Sequence, residues 1–296
     1  MNLAASLRDE LVERARRYAQ AESLPHCLSY GEAQIVCFAP YESDTRHGNF
    51  LRASYTAMRA NPEWRRRLAK VHTHGRRSLP PRDQGRWMEL DSCTSSDALL
   101  MNIFCHPNVS RQGMVAALLG AQPGMPPQFG YKARVPLANG KFDRTEVDLR
   151  LGDLLIEAKL TEGSFQTADK GLLLQYRDFS EVFDPEQLPQ TDAHYLSYQL
   201  LRNVLAAYAL QASFCTLIDA RRPDLADNWY AVVKCVKPVA LRTSLRISTW
   251  QELAQVVPPT LRAFLAKKYG IGQSGLQAVN GSRPMASQRI DAATFE

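Results

Sequence analysis

The N-terminal third of the chain carries short apolar stripes of helical period separated by polar breaks. Residues 2–21 place Leu3, Leu7 and Leu11 on one stripe, which predicts an amphipathic helix. Pro62 suits the first turn of a later helix, where the amide hydrogen that proline lacks would have no partner. The pattern predicts helices over residues 50–60, 62–70 and 97–104, a short strand over 34–38 and a loop over 72–86.

The middle of the chain changes to the two-residue alternation of strands. Three strands are predicted in succession, over residues 129–137, 145–151 and 154–160. The remaining predicted elements are a long helix over 193–211, strands over 213–219 and 229–236, and helices over 249–256 and 259–269. Consecutive strands followed by a covering helix are typical of an α+β layer architecture and not of an alternating βαβ series.

This order predicts a mixed α/β (α+β) fold, with a mixed sheet flanked by helices and an added N-terminal helical region. We expect the N-terminal helical and basic region, residues 1–90, to pack on a core that includes the C-terminal helices, residues 91–271. Residues 272–296 are rich in Gly, Ser, Gln and Ala and are predicted to form a flexible tail. No glycine-rich phosphate loop opens a helix after a strand, so nucleotide-binding folds of that kind are not predicted.

The most informative segment is the pair of strands on either side of Gly152 and Asp153. Glycine at the first central position predicts a two-residue type II′ hairpin loop. In that register Leu151 pairs with Leu154, and the alternation of side chains fixes the two faces. One face would carry Glu146, Asp148, Glu157 and Lys159, and the other would be wholly apolar, with Val147, Leu149, Leu151, Leu154, Ile156, Ala158 and Leu160.

Such a face destabilises the sheet, because like charges on opposite cross-strand sites repel each other. Asp148 would lie across from Glu157 with β-carbons roughly 5 Å apart, near enough for one divalent cation to bridge the two carboxylates. Lys159 could then stabilise charge that develops on a phosphate, or hold an attacking water. The alternative is a solvated hairpin face on which Glu146 and Lys159 form a weak surface ion pair.

The helix predicted over residues 193–211 has a polar stripe beside its apolar face. The stripe consists of Tyr195, Gln199, Arg202 and Asn203. If it faces a site, Gln199 could orient a water or a ligand, and Arg202 could hold a phosphate. The alternative is the ordinary solvent side of an amphipathic helix.

The net charge of +6 is concentrated in residues 61–86, which hold eight basic and two acidic side chains. Such a cluster is typical of a surface that binds phosphate backbones, and Trp64 and Trp87 flank it. A solvated helix face followed by a disordered loop is an equal alternative. The candidate nucleic-acid-binding residues are Arg65, Arg66, Arg67, Lys70, Arg76 and Arg77, with Arg82 and Arg86 completing the cluster.

The sequence also indicates the cellular compartment in which we expect the protein. No apolar run reaches the length of a membrane span, and the charged N-terminus has no apolar signal region, so we expect a cytoplasmic protein without a membrane partner. The six cysteines form no CxxC pair, which favours buried or free thiols over a zinc site.

Asp148 followed by Glu157-Ala158-Lys159 at the end of the next strand resembles the active-site motif of the PD-(D/E)XK nuclease superfamily. Residues 159–165 and the helix with Gln199 are similar to a bacterial restriction-endonuclease-like branch of it, and the resemblance spans about residues 91–221. It implies an αβββαβ core, DNA as the substrate and a phosphodiesterase that depends on Mg²⁺ or Mn²⁺.

By that resemblance Asp148 and Glu157 are metal ligands, the Ala158 carbonyl is a further ligand, and Lys159 is the catalytic lysine. Gln199 would be an auxiliary catalytic residue, with Glu146 and Arg202 as further auxiliaries. Asp148 is not preceded by the usual proline, and the acid of the first core helix has three candidates, Glu89, Asp91 and Asp97.

The leading hypothesis is a metal-dependent DNA endonuclease-like enzyme in which water attacks phosphorus with the help of the cation and Lys159. A catalytically inactive nuclease-fold module that binds DNA is the main alternative. A protein-interaction domain with a merely charged hairpin surface is a third possibility.

Overall fold

A computed structural model of the chain describes residues 2–29, 34–39, 45–70, 81–82, 85–86, 88–109, 111 and 113–272, with only the backbone described for 81–82 and 85–86. Its centre is a five-stranded mixed sheet. Its strands are β5 (Pro127–Lys132), β8 (Glu146–Leu151), β9 (Leu154–Ala158), β12 (Ser213–Ile218) and β13 (Leu245–Thr249). Along the sheet they lie in the order β13, β12, β9, β8, β5.

The sheet is antiparallel on one side and parallel on the other. Strands β5, β8 and β9 are antiparallel neighbours, whereas β12 runs parallel to both β9 and β13. The other strands form two-stranded pairs, namely β1 (His26–Leu28) with β2 (Val36–Phe38), β3 (Pro81–Arg82) with β4 (Gly85–Arg86), β6 (Val135–Pro136) with β7 (Phe142–Asp143), and β10 (Thr167–Asp169) with β11 (His194–Leu196).

Helices cover both faces of the central sheet. In chain order they are α1 (Leu3–Ala21), α2 (Arg52–Ala60), α3 (Pro62–Arg67), α4 (Ser96–Phe104), α5 (Gly113–Leu119), α6 (Lys170–Leu173), α7 (Phe179–Val182), α8 (Tyr198–Leu210), α9 (Pro223–Val233), α10 (Val239–Thr243), α11 (Trp250–Val256) and α12 (Pro259–Tyr269). A 3₁₀ turn, Glu89–Asp91, lies ahead of α4. No helix in the described ranges has both the length and the apolar character that crossing a bilayer requires.

Two apolar cores lie on opposite faces of the sheet because side chains alternate along each strand. Leu155 of β9 and Phe214 of β12 pack under α8. Their neighbours Ile156 and Cys215 point the other way, into the core formed with α1, α4, α11 and α12. The mixed sheet flanked by helices confirms the predicted fold class, and the order of α4, β5, β8, β9, α8 and β12 gives the αβββαβ series.

Several elements begin where their capping residues predict. The side chain of Asn2 accepts a hydrogen bond from Ala5 N at the start of α1, and that of Ser95 accepts one from Ala98 N at the start of α4. Pro62 and Pro259 each open a helix. All six cysteines are free thiols, as expected, and five of them are buried.

Two predictions about elements were wrong, and one strand of the central sheet was missed. The long helix begins at Tyr198 and not at residue 193, because residues 194–196 form β11 and pair with β10. Residues 229–236, predicted as a strand, belong mostly to α9, which Pro223 opens and which buries Trp229 and Val232 on one side. Strand β13 was not predicted at all.

The alternation predicted for the hairpin is interrupted at its start. Leu149, Leu151, Leu154, Ile156, Ala158 and Leu160 all lie in the core with α1 and α4, as predicted. Val147 instead packs in the core under α8. The interruption coincides with Gly130 in the neighbouring strand β5, whose φ of 61° lies in the left-handed region and departs from extended geometry.

The N-terminal part of the described chain contacts the C-terminal helices. Arg221, just beyond β12, forms an ion pair of 2.8 Å with Glu10 of α1. Lys268 of α12 is buried and donates to the backbone carbonyl of Asn49 at 2.7 Å. The predicted tail lies outside the described residues from residue 273 onward.

Candidate active site

The β8–β9 hairpin turns at Gly152 and Asp153 as predicted. Gly152 has a φ of 57°, and the ladder pairs Leu151 with Leu154, Arg150 with Leu155 and Leu149 with Ile156. Beyond Leu149 the regular ladder ends. Asp148 does not pair with Glu157 through its backbone, and its Oδ2 instead accepts a hydrogen bond of 2.8 Å from Ala158 N. The carboxylate of Asp148 therefore bridges to the end of β9 where the two strands separate.

Glu157 and Lys159 lie at that same end of β9, and both are buried. Lys159 Nζ donates to Glu157 Oε1 at 2.8 Å, and Asn203 Nδ2 of α8 donates to Glu157 Oε2 at 2.7 Å. The predicted alternative of a surface pair between Glu146 and Lys159 is wrong, because Lys159 pairs with Glu157 and Glu146 pairs with Arg67.

The charges of Glu157 and its neighbours shift the pKa values of Asp148 and Lys159. Burial, followed by the charges of Glu157 and Asp97, raises the pKa of Asp148 well above its ordinary value. Burial disfavours the ammonium of Lys159, but the carboxylates of Glu157, Glu162 and Asp148 outweigh it and raise the pKa of Lys159 above its ordinary value. The lysine is thus held in its charged form, whereas burial and the neighbouring acids disfavour the ionised form of Asp148.

The donor set fits a hard cation that keeps part of its shell for water or substrate. Asp148 and Glu157 supply carboxylate oxygens, which Mg²⁺ prefers, and Asp148 Oδ1 accepts no hydrogen bond from the described residues. Within the described ranges there is no group of three or more His, Cys, Asp or Glu side chains that could hold a metal ion. A Mg²⁺ ion bound by one or two carboxylates with waters and substrate phosphates matches such a pair.

A second charged group extends from this hairpin to α4. Arg67 Nη1 lies 2.9 Å from Glu146 Oε2, and Arg67 Nη2 lies 2.8 Å from Asp97 Oδ2. Lys70 Nζ lies 3.1 Å from Asp97 Oδ2 and 3.1 Å from Glu89 Oε2. Burial opposes the charge of Asp97, but Lys70 and Arg67 lower its pKa below the ordinary value.

These contacts distinguish the three candidates for the first-helix acid. Asp97 lies in the first turn of α4, and its negative charge contributes to the raised pKa of Asp148. Glu89 shares Lys70 with Asp97. Asp91 instead lies 3.0 Å from the buried ring of His47. Asp97 is therefore the candidate that the fold brings to the hairpin carboxylates.

The cations predicted to bind nucleic acid divide into three sets. Arg65 and Arg66 are exposed on α3, and Arg66 lies 3.9 Å from Glu63. Arg67 and Lys70 are partly buried and ion-paired within the protein, as described above. Arg76, Arg77 and the side chains of Arg82, Arg86 and Trp87 lie outside the described residues. Trp64 packs on β5, where its Nε1 donates to Pro127 O at 3.1 Å.

The polar stripe predicted on the long helix is only partly formed. Tyr195 lies in β11 and is buried in the core under α8, so it does not belong to the helix. Gln199 lies in the first turn of α8, and its buried Oε1 has no hydrogen-bond partner among the described residues. Arg202, predicted to hold a phosphate if the stripe faces a site, is buried at 2% exposure. Its Nη2 donates to Glu146 O at 2.9 Å and to Asn203 Oδ1 at 2.7 Å.

Asn203 is the residue to which sequence reasoning gave no role. The guanidinium of Arg202 donates to Asn203 Oδ1, and this bond orients the amide so that its Nδ2 donates to Glu157 Oε2. The only signal in the sequence was its position four residues after Gln199, on the same side of a helix.

A five-stranded mixed sheet flanked by helices, with paired acids and a lysine where two central strands separate, defines a protein of restriction-endonuclease-like fold. The chain belongs to the family described as restriction endonuclease associating with ARP, whose model matches residues 16–270. No curated protein and no solved structure matches the chain.

Proposed function

We propose that this protein is a metal-dependent DNA endonuclease of the PD-(D/E)XK type. The observation that carries the proposal is the junction of β8 and β9, where Asp148, Glu157 and Lys159 meet. A protein that serves only as a scaffold would gain little from two buried or half-buried carboxylates beside each other, because each desolvated charge costs free energy. The family description adds the expectation of a nuclease that acts on DNA.

Each residue has a role in this proposal. Asp148 and Glu157, with the Ala158 carbonyl, would hold Mg²⁺ or Mn²⁺. Such an ion, when bound, lowers the pKa of a coordinated water and neutralises charge on the phosphate. The ammonium of Lys159 would stabilise negative charge that develops on the phosphate in the transition state. Gln199 would orient the attacking water through its Oε1, which has no partner in the described protein.

The second candidate is an inactive nuclease-fold module that binds DNA. The ion pairs of Asp97 favour it, because Arg67 and Lys70 already neutralise the acid that would otherwise complete the site. Both candidates bind DNA, and only the first cuts it.

The test is cleavage of supercoiled and linear DNA by the purified protein with Mg²⁺, with Mn²⁺ and with EDTA. We expect metal-dependent cleavage that falls at least about a hundredfold in Asp148→Asn and in Lys159→Met, in line with the loss of a transition-state contact. Asp153→Asn, at the exposed turn of the same hairpin, and Lys234→Met, on the exposed surface after α9, are matched controls that should retain activity. If the protein cuts and all four variants cut equally well, the site assignment is wrong. If the folded protein binds DNA but cuts it under no metal condition, the inactive module is correct.

A further inference from the structure

We propose that residues 132–144, here called the basic hairpin, bind the phosphate backbone of duplex DNA beside the candidate active site. The inference rests on the proposed function for DNA as the ligand. The segment lies outside the basic cluster that the sequence singled out, and it joins β5 to β8 through the small pair of strands β6 and β7.

The basic hairpin presents four exposed cations. Lys132, Arg134, Lys141 and Arg144 are all exposed, and none forms an ion pair within the described protein. The nearby acids are already engaged, since Asp143 accepts hydrogen bonds from Thr145 and Tyr176 and Glu146 pairs with Arg67. Four unneutralised charges on about a dozen residues form the kind of surface that displaces counterions from a phosphate backbone.

One of these cations is held in position by an aromatic ring. The guanidinium of Arg134 lies 4.8 Å from the ring centroid of Phe142, a side chain that is 42% exposed. An arginine stacked on a ring keeps its N–H groups directed outward for bidentate contact with phosphate oxygens. The exposed ring of Phe142, which does not pack in a core, therefore serves to orient Arg134.

The basic hairpin is rigidly attached to the rest of the molecule. Ala138 N donates to Gln175 O at 2.8 Å, and Arg177 N donates to Pro136 O at 3.1 Å. Tyr176 Oη donates to Asp143 Oδ2 at 2.7 Å. A surface that is ordered before it meets its ligand loses less conformational entropy on binding.

The attachment also places the basic hairpin next to the candidate active site. Lys132 pairs with Glu146 across β5 and β8, only two residues along β8 from Asp148. Arg144 precedes Asp148 by four residues, which is a span of roughly 13 Å along an extended chain. Phosphates on one DNA strand recur about every 3.4 Å along the helix axis, so the span corresponds to about four nucleotides. Tyr176 Oη lies 3.1 Å from Tyr198 Oη, which connects the same segment to the start of α8 beside Gln199.

Arg67 of α3 and Lys70 just after it contrast with these cations. Arg67 and Lys70 are neutralised by Asp97, Glu146 and Glu89, so their charges add little to a surface that attracts DNA. The four cations of the basic hairpin have no such partner among the described residues, and together with Asp143 they give the segment a net charge of +3.

The test measures binding without requiring cleavage. Fluorescence anisotropy of a labelled duplex is recorded in EDTA over a series of salt concentrations for the wild-type protein and two double variants. Lys141→Gln with Arg144→Gln removes two cations of the basic hairpin. Arg111→Gln with Lys234→Gln removes one arginine and one lysine that are equally exposed elsewhere on the molecule. Circular dichroism and thermal melting confirm that each variant is folded.

We expect the hairpin variant to bind at least about tenfold more weakly at low salt and to reduce the slope of log K against log salt by about 2, while the control variant binds like the wild type. Equal binding by the hairpin variant and the wild type overturns the proposal, and so does the absence of duplex binding by the wild type. A protein that binds through the basic hairpin but never cuts contradicts the proposed catalysis and leaves this inference standing. If the protein cuts DNA while the hairpin variant binds normally, the proposed catalysis stands and this inference is contradicted.

Discussion

At the scale of single residues, Glu157 is held by two donors of different kinds. Lys159 neutralises one carboxylate oxygen, and the amide of Asn203, itself oriented by Arg202, holds the other. Each oxygen still has lone-pair capacity for a cation, since a carboxylate has about four acceptor sites. Asn203 is thus a positioning residue that sets the orientation of a proposed ligand.

Asn203→Ala should weaken the binding of Mn²⁺ by about tenfold or more, because the partners that orient a metal ligand typically contribute 10–100-fold to affinity. Calorimetric titration of Mn²⁺ into the protein measures the effect. Asn228→Ala, on the neighbouring helix α9, is the control and should bind Mn²⁺ like the wild type. Unchanged affinity in Asn203→Ala, in a protein that binds Mn²⁺ before mutation, would show that Asn203 only supports packing.

The residues of the candidate site could be predicted because they are close in sequence. A tight turn at Gly152 and the alternation along two strands are sufficient to bring Asp148, Glu157 and Lys159 to one end of a hairpin. Their actual partners could not be predicted in the same way. Lys159 pairs with Glu157 two residues before it and not with Glu146, and Arg67 reaches Glu146 from 79 positions away.

At the scale of elements, Pro62 and Pro259 open the helices predicted at those positions, and pairing between distant segments was the main source of error. The leading residues of the predicted long helix have apolar side chains at helical spacing, yet they pair with β10, so tertiary contact overrode the local pattern. In the same way, the run of apolar residues in α9 suits a strand or a helix until Pro223 and the buried face of Trp229 decide between them. The path of β5 past the site depends on one glycine, Gly130.

Gly130→Ala should destabilise the fold more than Gly140→Ala. Both glycines have a left-handed φ, 61° and 78°, so both variants incur a backbone cost of roughly 1 kcal/mol. At Gly140 an added β-carbon meets nothing within 4 Å, whereas at Gly130 it would clash with Arg67 Nη1 and lie 2.8 Å from Glu146 Oε2. Displacing Arg67 from its two carboxylates should raise the loss in free energy of unfolding of Gly130→Ala to about 2–4 kcal/mol. Urea unfolding measures both values, and equal losses would contradict the role assigned to Gly130.

At the scale of the whole molecule, the candidate site lies where three parts of the chain meet. The β8–β9 hairpin supplies the acids and the lysine, α8 supplies Asn203 and Gln199, and α3 and α4 supply the Arg67–Asp97 pair. The sheet orders these parts because its two apolar cores fix α8 on one face and α4 on the other. The fold class followed from the order of elements, whereas the meeting of α3 with the hairpin depends on contacts that no local pattern contains.

The central claim is that Asp148 and Glu157 hold one divalent cation between them, and anomalous X-ray diffraction from crystals soaked in Mn²⁺ tests it most directly. The account predicts an anomalous peak about 2.1 Å from carboxylate oxygens of both residues, and its loss in crystals of Asp148→Asn. The account is contradicted if Mn²⁺-saturated crystals show no peak there, or show one that persists unchanged in that variant.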